Sequence, residues 1–114
     1  MQGNTAIANI LKMEGTEYLF CYPANALIEA AAIAGIKPIM SRTERTTVNM
    51  ADGYTRVTNG HRTGVVVTQS GPGIENAFGG IAHAYAESTP ILVIPGGTAR
   101  GRLGQSPDFD AIAA

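Results

Sequence analysis

The chain has no tryptophan, a single cysteine, no surplus of basic residues and no long apolar run. Each absence removes a class of protein. With Cys21 alone there is no disulfide framework, which points to a reducing compartment, the cytoplasm. Eight lysines and arginines against nine acids give a net charge of −1, so no basic excess is present to neutralise nucleic-acid phosphates. No apolar stretch approaches the roughly 20 residues that span a bilayer. Met1-Gln-Gly-Asn4 lacks the basic start of a signal peptide. What is present suits a buried core: 45 % hydrophobic and 15 % charged residues. Residues 1–114 make one domain at most, and a small one.

Helical and strand periodicities alternate along the chain. Ala6, Ile7, Ile10, Leu11 and Met13 fall at helical spacing, and Gly15 stops that helix. Tyr18 to Tyr22 reads as a strand buried on both faces. Asn25 can cap a second helix, Ala26 to Ala34, ending at Gly35. Ile36 to Met40 reads as a short strand despite Pro38, which makes its signal the weakest of the four. A longer helix, Arg45 to Val57, is closed by Asn59-Gly60. Gly64 to Gln69 is the clearest strand. Ser70-Gly-Pro-Gly73 turns it into a helix of small residues, Ile74 to Glu87, and Ile91 to Ile94 is a fourth strand. From Thr98 onward the chain reads as loop, with a helix beginning near Phe109. Such alternation predicts an α/β domain, a parallel sheet with helices on both faces and right-handed crossovers. Four strands make an incomplete doubly wound domain, truncated at its C-terminal side.

Glu44 stands where a predicted strand gives way to a helix, the edge at which α/β proteins bind ligands. A carboxylate at a helix start is also favoured by the helix dipole alone, so position leaves both readings open. Gly71-Pro72-Gly73 opens a helix after a strand, the setting of anion cradles. It lacks the third glycine of the dinucleotide fingerprint, where Asn76 stands, and Pro72 removes one amide donor. It serves better as a tight turn that lets a flat ligand approach the backbone. His61 reads as solvated, His83 as a packing residue and Asp52 as structural, and Ser70 has no evident catalytic partners. The small face of Ala77, Gly79-Gly80, Ala82, Ala84 and Ala86 favours close packing on another helix or subunit.

Four stretches in order carry a family resemblance: Tyr22-Pro23, Arg42-Thr-Glu44 before Met50-Ala-Asp-Gly-Tyr-Thr-Arg56, Gln69-Ser-Gly-Pro-Gly-Ile-Glu-Asn76, and Ala84-Tyr-Ala-Glu-Ser-Thr-Pro90 leading into Ile91-Leu-Val-Ile-Pro-Gly96. Together they resemble the pyrimidine-binding (Pyr) domain of thiamine-diphosphate-dependent enzymes, nearest acetolactate synthase large subunits. The resemblance covers nearly the whole chain. It implies that Glu44 hydrogen-bonds N1′ of the aminopyrimidine, in apolar surroundings, favouring the tautomer that takes up the C2 proton. It also implies that Tyr22, Pro23, Gln69, Ser70, Gly71, Pro72 and Asn76 line the pyrimidine pocket. The substrate class implied is a 2-keto acid.

Several departures accompany the match. The family often has Gly-Gly after Tyr-Pro, where this chain has Ala24-Asn25. A Phe-Gln-Glu of the family stands here as Phe109-Asp110-Ala111, an acid in place of an amide. The Gly-Asp-Gly…Asn motif of the diphosphate-binding (PP) domain, which holds Mg²⁺, is absent from this chain. The expectation is therefore half a site, completed by a PP-domain-bearing partner or a homo-oligomer and inactive alone. FAD binding, as in some relatives, has no support in the residues. The alternatives are a non-catalytic assembly or regulatory module, and a nucleotide binder built on the Gly71-Pro72-Gly73 turn.

Overall fold

The computed structural model describes residues 2–23, 25–97 and 101. The Phe109-Asp110-Ala111 segment, the expected tail helix and Ala24 lie outside the described residues. Eight elements alternate: α1 Gly3–Met13, β1 Tyr18–Cys21, α2 Leu27–Ile33, β2 Lys37–Met40, α3 Glu44–Val57, β3 Gly64–Thr68, α4 Pro72–Ala86 and β4 Ile91–Pro95. The strands form one parallel sheet in the order β2-β1-β3-β4.

Local chemistry explains most boundaries. Gly15 and Gly35 take φ of 84° and 81°, which lets the next amide reach back over the helix end. Thr16 N–H thus donates to Leu11 O at 3.0 Å, and Ile36 N–H to Ala31 O at 2.9 Å. Pro38 is tolerated because β2 is an edge strand. Lys37 N–H donates to Glu17 O (2.9 Å), which leaves the next nitrogen, the one without a proton, on the free side. Most element ends fall within a residue of the sequence reading, and two helix starts show why they move. α4 begins at Pro72 rather than Ile74, because proline fits the first helical position, where no amide proton is needed. α2 begins at Leu27, with Ala26 already in a helical conformation as its N-cap residue. Asn25 lies one residue further out and still accepts from Leu27 N–H at 2.9 Å.

The period of two along the central strands divides the core. Leu19, Cys21, Val65 and Val67 face α1 and α2, packing with Ala8, Leu11, Leu27, Ala31 and Ile36. Phe20 and Val66 face α3 and α4, packing with Val48, Ala51, Ile74 and Ala77. On that second face α3 and α4 nearly touch. A Cβ on Gly80 would lie 2.9 Å from Val48 Cβ, and Ala77, Gly80 and Ala84 are the buried small residues of α4. Asp52 is buried at the same seam and holds Arg56 Nε at 3.0 Å, one turn along α3.

Cys21 is fully buried in the α1/α2 core, its Sγ 3.3 Å from Met40 Sδ. Burial pushes its thiol above the ordinary 9.0, partly opposed by a hydrogen bond to Ile39 O. Folding therefore favours the protonated thiol. This contribution to stability is complete below pH 9.0 and is lost as pH rises through the higher native value. At pH 8 a thiol reagent should label the native chain at least about a hundredfold more slowly than the urea-unfolded chain. Equal rates would show that the α1/α2 core is open.

Candidate functional site

Strand order creates the site. α2 carries the chain from β1 outward to β2 on one face, while α4 carries it from β3 to β4 on the other. The loops leaving β1 and β3 therefore part in opposite directions, and ligands of open α/β sheets bind in the crevice at such a switch point. Beside it lies a cleft of about 380 Å³ lined by residues of three loops and two helix starts.

The wall from β1 is Tyr22, the first residue after the strand ends at Cys21. The wall from β3 and α4 is Gln69, Pro72, Gly73 and Asn76. The third wall is the start of α3, with Arg42, Thr43, Glu44 and Arg45. Thr43 caps that helix: its extended backbone turns the side chain back to accept from Thr46 N–H at 3.2 Å. The cap fixes Glu44 as the first helical residue, and the side chain leaves inward.

Glu44 is 4 % exposed. Its Oε2 receives a single long contact, 3.5 Å from Asn76 Nδ2, and no donor among the described residues reaches Oε1. No ion pair to Glu44 forms among them either, although Arg42 and Arg45 share the cleft. A carboxylate present only for the helix dipole stands out on the surface, whereas Glu44 is recessed and faces the cleft. Gly73 is what admits it. A Cβ there would lie 3.0 Å from Glu44 Oε1 and 2.6 Å from Gln69 Cβ. The glycine of the turn thus makes room for the chain's own carboxylate, where the sequence reading had a flat ligand.

Five of the residues singled out in the sequence, Tyr22, Glu44, Gln69, Pro72 and Asn76, line this cleft. Pro23, Ser70 and Gly71 do not. Ser70 lines a second hollow of about 400 Å³, with Asn25, Ile94 and Gly96, and Gly71 is buried as the N-cap residue of α4 at φ 59°. The lining also departs from the apolar surrounding that the resemblance implies. Arg42, Thr43, Arg45, Gln69 and Asn76 make it largely polar, with Tyr22 and Pro72 as its flat surfaces. Sequence reasoning gave no role to Arg42 and Arg45. Their signal was adjacency to a capped helix start, where successive side chains splay toward one opening.

The chain matches, over residues 1–114, the family model described as the thiamine pyrophosphate enzyme N-terminal TPP binding domain. It is 38 % identical over 108 residues to an acetolactate synthase large subunit of Buchnera aphidicola, covering 91 % of this chain and 19 % of that protein. To the acetolactate synthase large subunit of Haemophilus influenzae it is 39 % identical over 100 residues, covering 84 % and 17 %. To the isozyme 3 large subunit of Escherichia coli it is 35 % identical over 108 residues, covering 91 % and 18 %. The chain thus spans less than a fifth of the length of these relatives. Its fold matches a structure described as a thiamin diphosphate-dependent enzyme of Mycobacterium smegmatis, with a TM-score of 0.79 at 20 % identity, covering 98 % of this chain and 22 % of that one.

Proposed function

Because the chain belongs to the family of thiamine pyrophosphate enzyme N-terminal domains, we propose that its Glu44 cleft receives the aminopyrimidine of thiamine diphosphate. The cleft is then one wall of a site that a second protein surface completes. The observation that carries this reading is the Glu44 carboxylate, 4 % exposed and without a donor to Oε1 among the described residues. Glu44 faces the cleft, so a ring N–H entering it meets a charged acceptor with spare lone pairs, a stronger bond than one between neutral groups.

The residues present fit such a ring. Tyr22 and Pro72 offer flat surfaces to a planar heterocycle, and the amides of Gln69 and Asn76 offer both donors and acceptors at its rim. Glu44 holds or releases a proton at the ring nitrogen, and Gly73 keeps its carboxylate at that depth. When bound, thiamine diphosphate supplies the electron sink for making or breaking a carbon–carbon bond beside a carbonyl. The reaction proposed is a 2-keto-acid carboligase or decarboxylase of the acetolactate synthase type, supported by the names of the relatives.

The diphosphate and Mg²⁺ fall to a PP domain on a partner or on another part of a longer chain. Among the described residues no group of three His, Cys, Asp or Glu could hold a metal ion. Phe78, 50 % exposed two residues after Asn76, supports a partner surface beside the cleft, and Tyr85, 86 % exposed two turns further along the same helix, extends it away from the cleft. The same aromatics would serve the assembly-module reading, so the experiment must separate the two. The chain alone should consume no pyruvate. Supplied with a PP domain of the family, it should do so only when thiamine diphosphate and Mg²⁺ are present. Absence of thiamine dependence in every such combination would leave the assembly module as the better reading.

A further inference from the structure

One side chain joins the two loops that diverge at the switch point. Asn25 Nδ2 donates to Thr68 O at 3.1 Å, across 43 residues of sequence, while Asn25 Oδ1 accepts from Leu27 N–H at 2.9 Å. The same Thr68 carbonyl accepts from Gly96 N–H at 2.9 Å. Thr68 is fully buried and is the last residue of β3, so Gln69 and the turn to Gly73 leave directly from this point. Tyr22 lies three residues before Asn25. The geometry points to Asn25 as a positioning residue: by tying the β1 loop to the end of β3, it fixes the separation of the Tyr22 and Gln69–Gly73 walls of the Glu44 cleft.

The two polar atoms of the amide do different work. The oxygen starts α2, and the nitrogen spans the switch point. A glycine, which the family often carries after Tyr-Pro, makes neither bond, so this chain closes its first loop in its own way. Gly96 shows how tight the junction is: a Cβ there would lie 3.0 Å from Ser70 N and 3.4 Å from Thr68 O. With β4, β3 and the β1 loop meeting at one carbonyl, displacement of Asn25 is felt at the cleft wall and not only in α2.

Asn25→Asp separates the two roles. It keeps an acceptor for Leu27 N–H and replaces the donor to Thr68 by an oxygen that repels the carbonyl. If Asn25 served merely to start α2, N25D would keep wild-type amide exchange in the Tyr22 loop, since aspartate caps as well as asparagine. As a positioning residue it behaves otherwise. N25D should shift the backbone amide resonances of Tyr22, Gln69 and Ser70, speed amide exchange in that loop about three- to tenfold, and leave the Leu27 amide protected. Asn25→Ala should do the same and also expose the start of α2. Because the cleft's ligand rests on the function proposed above, a second arm titrates thiamine diphosphate against the chain completed by a PP domain. There N25D should weaken binding about three- to tenfold. Amide spectra of N25D that superimpose on wild type at Tyr22, Gln69 and Ser70 would overturn the assignment. A wild-type chain that binds no thiamine diphosphate would instead sink the cofactor reading, with the amide comparison still deciding the role of Asn25.

Discussion

On the proposed reading, Glu44→Gln should leave the fold of this chain in place and stop the C2 proton exchange of thiamine diphosphate in the enzyme completed by a PP domain. Glutamine has the shape of glutamate, so the space that Gly73 leaves for the side chain remains filled and no cavity opens. The contact with Asn76 survives, since an amide oxygen accepts from Nδ2 as a carboxylate does. Stability should therefore change by less than about 1 kcal/mol. The chemistry differs because an amide cannot take or return a proton at the ring nitrogen. Removal of a positioned acid–base group costs about 10²–10⁴-fold in rate. The exchange, followed by proton NMR in heavy water, should fall by at least the lower figure in E44Q. Exchange at the wild-type rate would remove Glu44 from the chemistry and reduce it to the start of a helix.

The sequence disclosed the elements more readily than the approaches between them. Helix ends were legible because Gly15, Gly35 and Asn59-Gly60 mark them locally, and their positive φ values follow from that chemistry. Pro38 only weakened the strand signal of β2 in the sequence, and the sheet order then placed that strand at an edge. The start of α4 was misplaced by two residues because Gly71-Pro72-Gly73 reads as a turn until Pro72 is seen as the first helical residue. Tyr22, Glu44, Gln69, Pro72 and Asn76 were found together by their order along the chain, which a family motif preserves. Ser70 lines a neighbouring hollow instead, Gly71 is the N-cap residue of α4, and Pro23 is not among the residues that line the cleft. Nothing in the sequence showed that Gly73 faces Glu44 at atomic contact, or that Asn25 reaches Thr68. Both join residues about 30 to 40 positions apart, and such contacts leave no local pattern to read.

The substitution expected to cost the most stability is Gly64→Ala. Gly64 is the first residue of β3, and a Cβ there would lie 2.3 Å from Ala51 O and 2.7 Å from Ala51 C and Cα. These are backbone atoms in the middle of α3, so no side chain can turn aside. Thr55 locks the approach from the other direction. Its Oγ1 accepts from Gly64 N–H at 2.8 Å and lies 3.1 Å from Ala51 O and 3.0 Å from Pro90 O, donating to one of them. An alanine at 64 must push α3 off the sheet, straining Phe20, Val48 and Val66 behind it. Overpacking of this kind costs about 3 kcal/mol, a large part of the 5–15 kcal/mol that small domains have. Gly53 is the matched control, on the same helix with nothing within 4 Å of an added Cβ. Gly53→Ala should gain about 0.5–1 kcal/mol from helix propensity alone. In urea unfolding G64A should move the midpoint down and G53A should move it up, each with an unchanged slope. Glu44 begins the helix that G64A displaces, so in the completed enzyme thiamine diphosphate binding should weaken in G64A and hold in G53A. A G64A chain as stable as wild type would mean that α3 does not rest on β3 at Ala51, and the depth of Glu44 in its cleft would lose its structural cause.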